Sequence, residues 1–539
     1  MGNAASTPAP QSTLSEKHNS TTRVSSPSSA ADLLSQLSLR GSAASRASAK
    51  VTSENLAAWE GDFASSPKHR LASTVLSKAA LTDSLVRRDA QRNTQQIFNV
   101  KVNEGGLPIT NQKSSGRCWL FSATNLLRIA LARKLDLDDF QFSQSYLFFW
   151  DSLSKANYFL EQMLDLADSP LDDRVVQHLM NMPENDGGQW SMLDSLITTF
   201  GLVPQSVYPE SFNSSNTGKL DALLTSKLRE YALELRDLHS AAMRTLSDLA
   251  DGKSYAEKKV LAAQSARKKK EEQMSEVYRI LAIALGQPPK PDDSFVWEYY
   301  SKKDKKYHRV ETTPKKLYGS VGVDTSKVLS LVNDPRHEYE TLLSVDRLGN
   351  VWGGAPVTYV NVDLDVLKKT AIRLLRDDTP VWFGCDVGKF SSSSLGIMST
   401  KLWDLDEGFG TSLKMSKAQR LETGDSAMTH AMLITAVHID EKSGKPTRWR
   451  IENSWGPDVG EKGCVRRPRS HVFPLWADER RGETATSSWT TSGSPSTSTK
   501  SAPTASTSTR SWSTYSTRAR RPSCLPGCVL AFPAALLVC

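Results

Sequence analysis

The segment Gln112-Lys113-Ser114-Ser115-Gly116-Arg117-Cys118-Trp119-Leu120-Phe121-Ser122 constrains this chain more than any other. From Trp119 to Ala132 the residues form an apolar run that reads as a helix, which puts Cys118 at its first turn. Unpaired N–H groups at that end carry partial positive charge and favour a thiolate over a thiol. Gly116 permits a tight turn just upstream. Gln112 lies six positions before the cysteine, and its amide can reach back beside the sulfur as a donor to a developing oxyanion. A lone cysteine in an apolar run is ordinarily a small core residue. Here the glycine, the tryptophan and the glutamine together favour a nucleophile.

A nucleophilic thiol needs a base, and the base needs a partner that orients it. Nine histidines compete for the role. His430, in Thr429-His430-Ala431-Met432, and His438 flank one apolar strand. They are eight residues apart and face the same side of a regular strand, so parity does not choose between them. His430 is the expected base because it starts the strand after the turn Gly424 to Thr429, whereas His438 reads as a strand-end residue. Downstream, in Ile451-Glu452-Asn453-Ser454-Trp455-Gly456, Asn453 ends a strand. Asn-Ser is also an ordinary turn, but the Trp455 indole can shield a His–Asn hydrogen bond from water and so strengthen it. Cys118, His430 and Asn453 are therefore the expected catalytic residues, with Gln112 as oxyanion donor. Gly187 and Gly188, in the loop Asn185 to Trp190, permit close backbone approach and can pair with an extended peptide as an added strand. A plain helix-entry turn is the competing reading. Those two glycines and Trp455 are the expected substrate-binding residues.

The pattern along the chain is α+β. Ordered structure is expected to begin near Glu54, with Leu56, Trp59, Phe63 and Leu71 as its first apolar anchors. Helices are expected over Ser143 to Phe159 and Met192 to Phe200. From Lys219 to Gly286 two or three long amphipathic helices end at Gln287-Pro288-Pro289, so that 210–300 reads as an inserted helical region. Beyond Val357 the β-branched runs Val357 to Val362, Val381 to Asp386, Met432 to Ile439 and Thr447 to Asn453 read as antiparallel strands. The expected peptidase domain is 54–463. It is flanked by a disordered extension, 1–53, and a low-complexity, unstructured tail, 464–539.

The net charge of +8 says little about partners, because ten basic and three acidic residues from Val465 onward supply +7 of it. Only Cys118 and Cys385 precede Cys464, too few and too far apart for a disulfide scaffold, so a reducing compartment is expected. No apolar stretch reaches the ~20 residues needed to span a bilayer. Met1-Gly2-Asn3-Ala4-Ala5-Ser6 matches an N-myristoylation pattern at Gly2. A Ser-rich start with Arg23, Arg40 and Arg46 is compatible with a mitochondrial presequence, against which stand Glu16 and Asp32. A disordered, unprocessed extension is ranked ahead of both. The runs Lys268-Lys269-Lys270 and Lys302-Lys303-Asp304-Lys305-Lys306 are ordinarily solvated faces; the alternative is a weak single-stranded nucleic-acid surface lining a channel.

Ser115-Gly116-Arg117-Cys118-Trp119 echoes the papain signature, with the signature's first cysteine and third residue replaced. The segments Thr110 to Asn125, Phe142 to Glu161, Asn185 to Met192, Phe295 to Tyr300, Thr379 to Gly384, Met428 to Thr435 and Ile451 to Gly463 together resemble the bleomycin hydrolase family of papain-like cysteine aminopeptidases in its fungal form. The resemblance implies a two-lobed fold with an added helical region, assembled as a homohexamer around a central chamber. It implies aminopeptidase activity on peptides, hydrolysis of the bleomycin amide and of homocysteine thiolactone, and a cytoplasmic or mitochondrial location. DNA binding is known among fungal relatives, and no metal or organic cofactor is implied. The likeness stops at Gly463. Relatives continue with an aromatic strand, a helix and a C-terminal arm that lies in the cleft and restricts cleavage to the N-terminal residue, whereas Cys464-Val465-Arg466-Arg467-Pro468 opens unrelated sequence. A shifted reading frame or mis-spliced gene model after about Gly463 is the expected cause of that break, and resequencing the transcript tests it. A genuine tail favours the alternative of an impaired homologue that binds peptide or DNA.

Overall fold

The computed structural model describes residues 50–104, 106–249, 251–459 and the backbone of 464–467 and 535–538. The chain divides into two compact units, Met1–Lys78 and Ala79–Cys539. In the first, helices α1 (Ser53–Ser65) and α2 (Pro67–Leu76) are each started by a hydroxyl: Thr52 accepts from Asn55 N and Ser66 from His69 N. Neither helix has a buried residue, and Leu56, Trp59, Phe63 and Leu71 are exposed rather than anchoring a core. The reason is architectural: two short helices have no further layer within their unit on which to close a core.

The second unit is built on helices α3 (Cys118–Leu135), α4 (Gln144–Asp165), α5 (Trp190–Phe200), α6 (Gly218–Ser247) and α7 (Tyr255–Leu285). Every residue of α3 from Cys118 to Ile129 is buried, as expected of a helix that is largely apolar all round. Ser143 caps α4 and a Ser254–Glu257 capping box starts α7. The helices α6 and α7 are antiparallel, with Lys227 near Glu276 and Glu234 near Lys269, and α7 stops at Gly286, whose φ of 88° suits glycine. Two helices, not three, thus fill Lys219 to Gly286. The lysine runs are largely matched by acids. Lys270 is buried 2.7 Å from Glu161 of α4, and Lys302 and Lys305 both reach Asp138. They offer less free positive charge than the sequence implies.

A hairpin of β2 (Phe295–Tyr300) and β3 (Tyr307–Thr312) stands apart from an eleven-stranded sheet among the described residues; the sheet's short members include β1 (Val100–Lys101), β5 (Thr341–Ser344), β8 (Ser391–Ser392) and β9 (Ile397–Met398). At the sheet's centre β10 (His430–Ile439) pairs antiparallel with β7 (Val381–Cys385) and β11 (Pro446–Glu452). Its alternate residues feed opposite faces: Ala431 and Leu433 join the core of α3 to α7, while Met432 and Ile434 join Leu367, Ala371 and Leu374 of α8 (Leu364–Arg376). Buried on both faces, β10 reads as a continuous apolar run. The sheet is not purely antiparallel. Strand β4 (Leu329–Val332) runs parallel to β6 (Thr358–Asn361), because the chain reverses twice between them, through β5, which pairs antiparallel with β6. Two segments of the tail, expected to be unstructured, have strand backbone: Cys464–Arg467 extends the sheet beside β11, and Ala535–Val538 lies between β4 and β7.

Candidate active site

Antiparallel pairing of β10 with β11 brings the start of one beside the end of the other. The last paired residues are Leu433 and Glu452, so His430 and Asn453 emerge at the same edge. There His430 Nε2 lies 2.7 Å from Asn453 Oδ1. The same oxygen accepts from Ser454 N at 2.8 Å, which fixes it as the amide oxygen rather than the nitrogen. An amide oxygen only accepts, so His430 carries its proton on Nε2 and leaves Nδ1 with a lone pair. The Trp455 ring lies 4.9 Å from that of His430, tilted by 31°.

The segment before Cys118 is laced to the segment after Asn453. Gln112 N donates to Ser454 O at 2.8 Å and Gly456 N to Thr110 O at 3.0 Å. Gly456, with φ of 85°, must be glycine: a Cβ there would stand 2.5 Å from Asn111 Nδ2. The Gln112 side chain is held at both ends, with Oε1 accepting from Ser454 Oγ at 2.6 Å and Nε2 donating to Ser115 O at 2.5 Å. One amide N–H is thereby used and the other remains. Buried Arg117 forks onto Glu210 at 3.0 and 2.9 Å and steadies the turn. Deeper in, Glu452 accepts from Asn125 at 3.0 Å and lies 3.4 Å from Arg128, tying α3 to β11 one residue before Asn453.

Cys118 is the first residue of α3, and its Sγ accepts from Ala431 N at 3.4 Å, which puts the sulfur beside the residue that follows His430. Cys118, His430, Gln112 and Trp455 line one cleft of about 500 Å³. Asn453 lies behind His430, 2 % exposed. Gly187 and Gly188 are not among the lining residues; their neighbour Asp186 is. Gly188 is instead required by packing, since a Cβ would meet the Trp119 ring at 2.7 Å. Lys113, Thr217, Asp221 and Thr429 also line the cleft and were not singled out from sequence. Of these Lys113 and Thr429 carry a local signal, lying within the motifs quoted for Cys118 and His430.

Burial dominates the proton affinities. It pushes the Cys118 thiol up to about 11, against the Ala431 N–H that favours the thiolate and with the Asp186 carboxylate adding to the rise. It pushes His430 down to about 4, only partly offset by Asn453. The helix N-terminus, expected from sequence to favour a thiolate, is outweighed because each group alone would carry an uncompensated charge in an enclosed site. Moving the proton from sulfur to ring creates opposite charges side by side and keeps the site neutral. Among the described residues Cys118 and Cys385 are free thiols, and no cluster of three or more metal-ligating side chains occurs. No described helix is long and apolar enough to cross a membrane.

This site and fold coincide with extensive similarity to cysteine peptidases. A model of the Peptidase C1-like family matches residues 50–470. Cysteine proteinase 1, mitochondrial, of Saccharomyces cerevisiae is 40% identical over 422 residues, covering 78% of this chain and 83% of that protein. Human bleomycin hydrolase is 40% identical over 429 residues, covering 78% and 89%. The crystal structure of PepW from Lactobacillus rhamnosis superposes with a TM-score of 0.72 at 37% identity, over 79% of this chain and 90% of that one. The chain is a cysteine peptidase. It belongs to the Peptidase C1-like family, alongside bleomycin hydrolases and fungal cysteine proteinase 1.

Proposed function

We propose that the chain is a broad-specificity aminopeptidase that cleaves peptide amides through a thioester on Cys118. The single observation that carries this reading is the His430 Nε2–Asn453 Oδ1 hydrogen bond beside a cleft that also contains Cys118. It commits the ring to the tautomer whose free Nδ1 can take the thiol proton. The thiolate attacks the scissile carbonyl, forming C–S while the C=O pair moves onto oxygen. That oxyanion accepts from the Cys118 N–H, which has no intrahelical partner, and from the remaining Gln112 N–H. Collapse expels the amine, which leaves with the proton from His430. Water, giving a proton to His430, then hydrolyses the thioester and frees the acid, and the ring returns that proton to sulfur.

The two cores that meet along β10 support a papain-like, two-lobed reading of the cleft, with α6 and α7 as the inserted layer. The named activity of the human relative supports the amide of bleomycin as a substrate, and a thiolate of this kind also opens a thioester ring such as homocysteine thiolactone. Six-fold assembly and a mitochondrial or cytoplasmic location are proposed on the same footing; light scattering of the purified chain tests the first. For the activity, rates are compared on an aminoacyl-coumarin amide and on its N-acetylated form. The reading expects hydrolysis of the first and at least tenfold slower hydrolysis of the second. Equal rates overturn the exopeptidase assignment.

A further inference from the structure

Asp186 holds the chain on both sides of the thiol. Its carboxylate accepts from Gly116 N and, at 2.6 Å, from the Thr217 hydroxyl, and its main-chain carbonyl accepts from Trp119 Nε1 at 2.7 Å. Gly116 and Trp119 bracket Cys118 in the chain. A Cβ at Gly116 would overlap the carboxylate, so the approach is as close as backbone allows. The loop is itself anchored from behind. Lys155 Nζ donates to the carbonyls flanking Asp186, to Asn185 O at 2.7 Å and Gly187 O at 2.6 Å, and pairs with Asp151 at 2.5 Å. Asp186 thus transmits a rigid attachment on α4 to the first turn of α3, and it lines the cleft beside Cys118.

We propose that Asp186 is a positioning residue for the nucleophile: it locks the Gly116–Trp119 turn so that the Cys118 sulfur is presented to the cleft beside His430. The inference rests on the reading of Cys118 as nucleophile. An ordinary loop staple would make the same bonds, and charge is what separates the two. The carboxylate opposes ionisation of the thiol, so it biases the protonation of the group it positions. The other titratable neighbours are distributed around it, with Lys113 lining the same cleft. His430 comes from β10, Asp151 and Lys155 from α4, and Asp221 from α6, and all are untouched by substitution at 186.

The test measures the pH dependence of Cys118 alkylation by iodoacetamide in the full chain, together with kcat and KM on an aminoacyl-coumarin amide and thermal unfolding. It covers the wild type, D186N, D186A and T217V. Asparagine keeps an oxygen for Gly116 and removes the charge, so D186N should move the alkylation midpoint about one pH unit to the acid side with kcat within a few-fold. D186A removes the grip as well; kcat should fall about 100-fold with KM little changed. T217V removes one donor while leaving the charge, so it should lower kcat several-fold without moving the midpoint. Superimposed alkylation profiles for wild type and D186N overturn the proposal. So does full kcat in D186A, or a kcat loss that matches its unfolded fraction. Should D186A fail to fold, D186N and T217V still decide. If wild-type Cys118 resists alkylation, or C118A hydrolyses the reporter, the nucleophile reading itself falls and the inference falls with it.

Discussion

Replacing Asn453 with alanine removes the acceptor that orients His430. The bond is 2.7 Å long, between a ring that is 9 % exposed and an amide that is 2 % exposed, so water replaces it poorly. A buried donor left unpaired costs about 1–3 kcal/mol. The ring avoids that cost by moving its proton to Nδ1, which is the tautomer that cannot accept from the thiol. The productive tautomer is then depleted roughly 5- to 150-fold, at 1.36 kcal/mol per factor of ten. We expect kcat on an aminoacyl-coumarin amide to fall by that factor with KM nearly unchanged, because no substrate contact is assigned to Asn453. Urea unfolding of the same preparations should show only about 0.5–1.5 kcal/mol of loss, the net worth of the hydrogen bond, because the ring escapes the unpaired-donor cost. Asn453→Asp is the companion variant: its carboxylate also accepts from the ring, and its charge should raise His430 from about 4. An Asn453→Ala protein that folds and keeps kcat within twofold of wild type refutes the tautomer argument.

Glu452→Ala strands Arg128 and should lose about 3–5 kcal/mol in urea unfolding, whereas an apolar replacement of both partners should recover most of it. Stability should also depend on pH at both ends. His430 titrates near 6.5 unfolded and about 4 folded, so the unfolded chain binds the extra proton and about 3 kcal/mol is lost as pH falls from 6.5 to 4. Cys118 titrates at 9.0 unfolded and about 11 folded, so its contribution is full below 9.0 and is lost as pH rises towards 11. His430→Gln should flatten the acid limb alone, as read by urea midpoints across pH. Gly188→Ala should cost about 1–3 kcal/mol by driving a methyl into the Trp119 ring; a thermal midpoint equal to wild type would show that the loop gives way.

Local pattern made the site's carriers legible. The apolar spacing after Cys118 gave α3 almost to its ends, and the β-branched runs located β7, β10 and β11 within a residue or two. The pairing of His430 with Asn453 was legible because both stand at ends of adjacent strands, where antiparallel register does the rest. What escaped depends on distance in the chain. Asp186 lay inside a loop singled out for its glycines, but its contact with Gly116 is tertiary and leaves no periodic trace. Strand direction is likewise silent in composition, so the parallel β4–β6 pair was unforeseen. The stripe of Leu56, Trp59, Phe63 and Leu71 marks apolar residues without marking what covers them. Lys270 looked solvated because its partner Glu161 lies on another helix, over a hundred positions away.

The central claim is that the Cys118 thiol, and no other cysteine of the chain, performs the chemistry. The direct measurement is intact-mass analysis and peptide mapping after treatment with a peptidyl chloromethyl ketone, with residual hydrolysis followed in parallel. The account predicts one adduct, on Cys118, accumulating in step with loss of activity, while Cys385 stays unmodified. Complete inactivation with the adduct on Cys385, or full activity with Cys118 quantitatively modified, would contradict it.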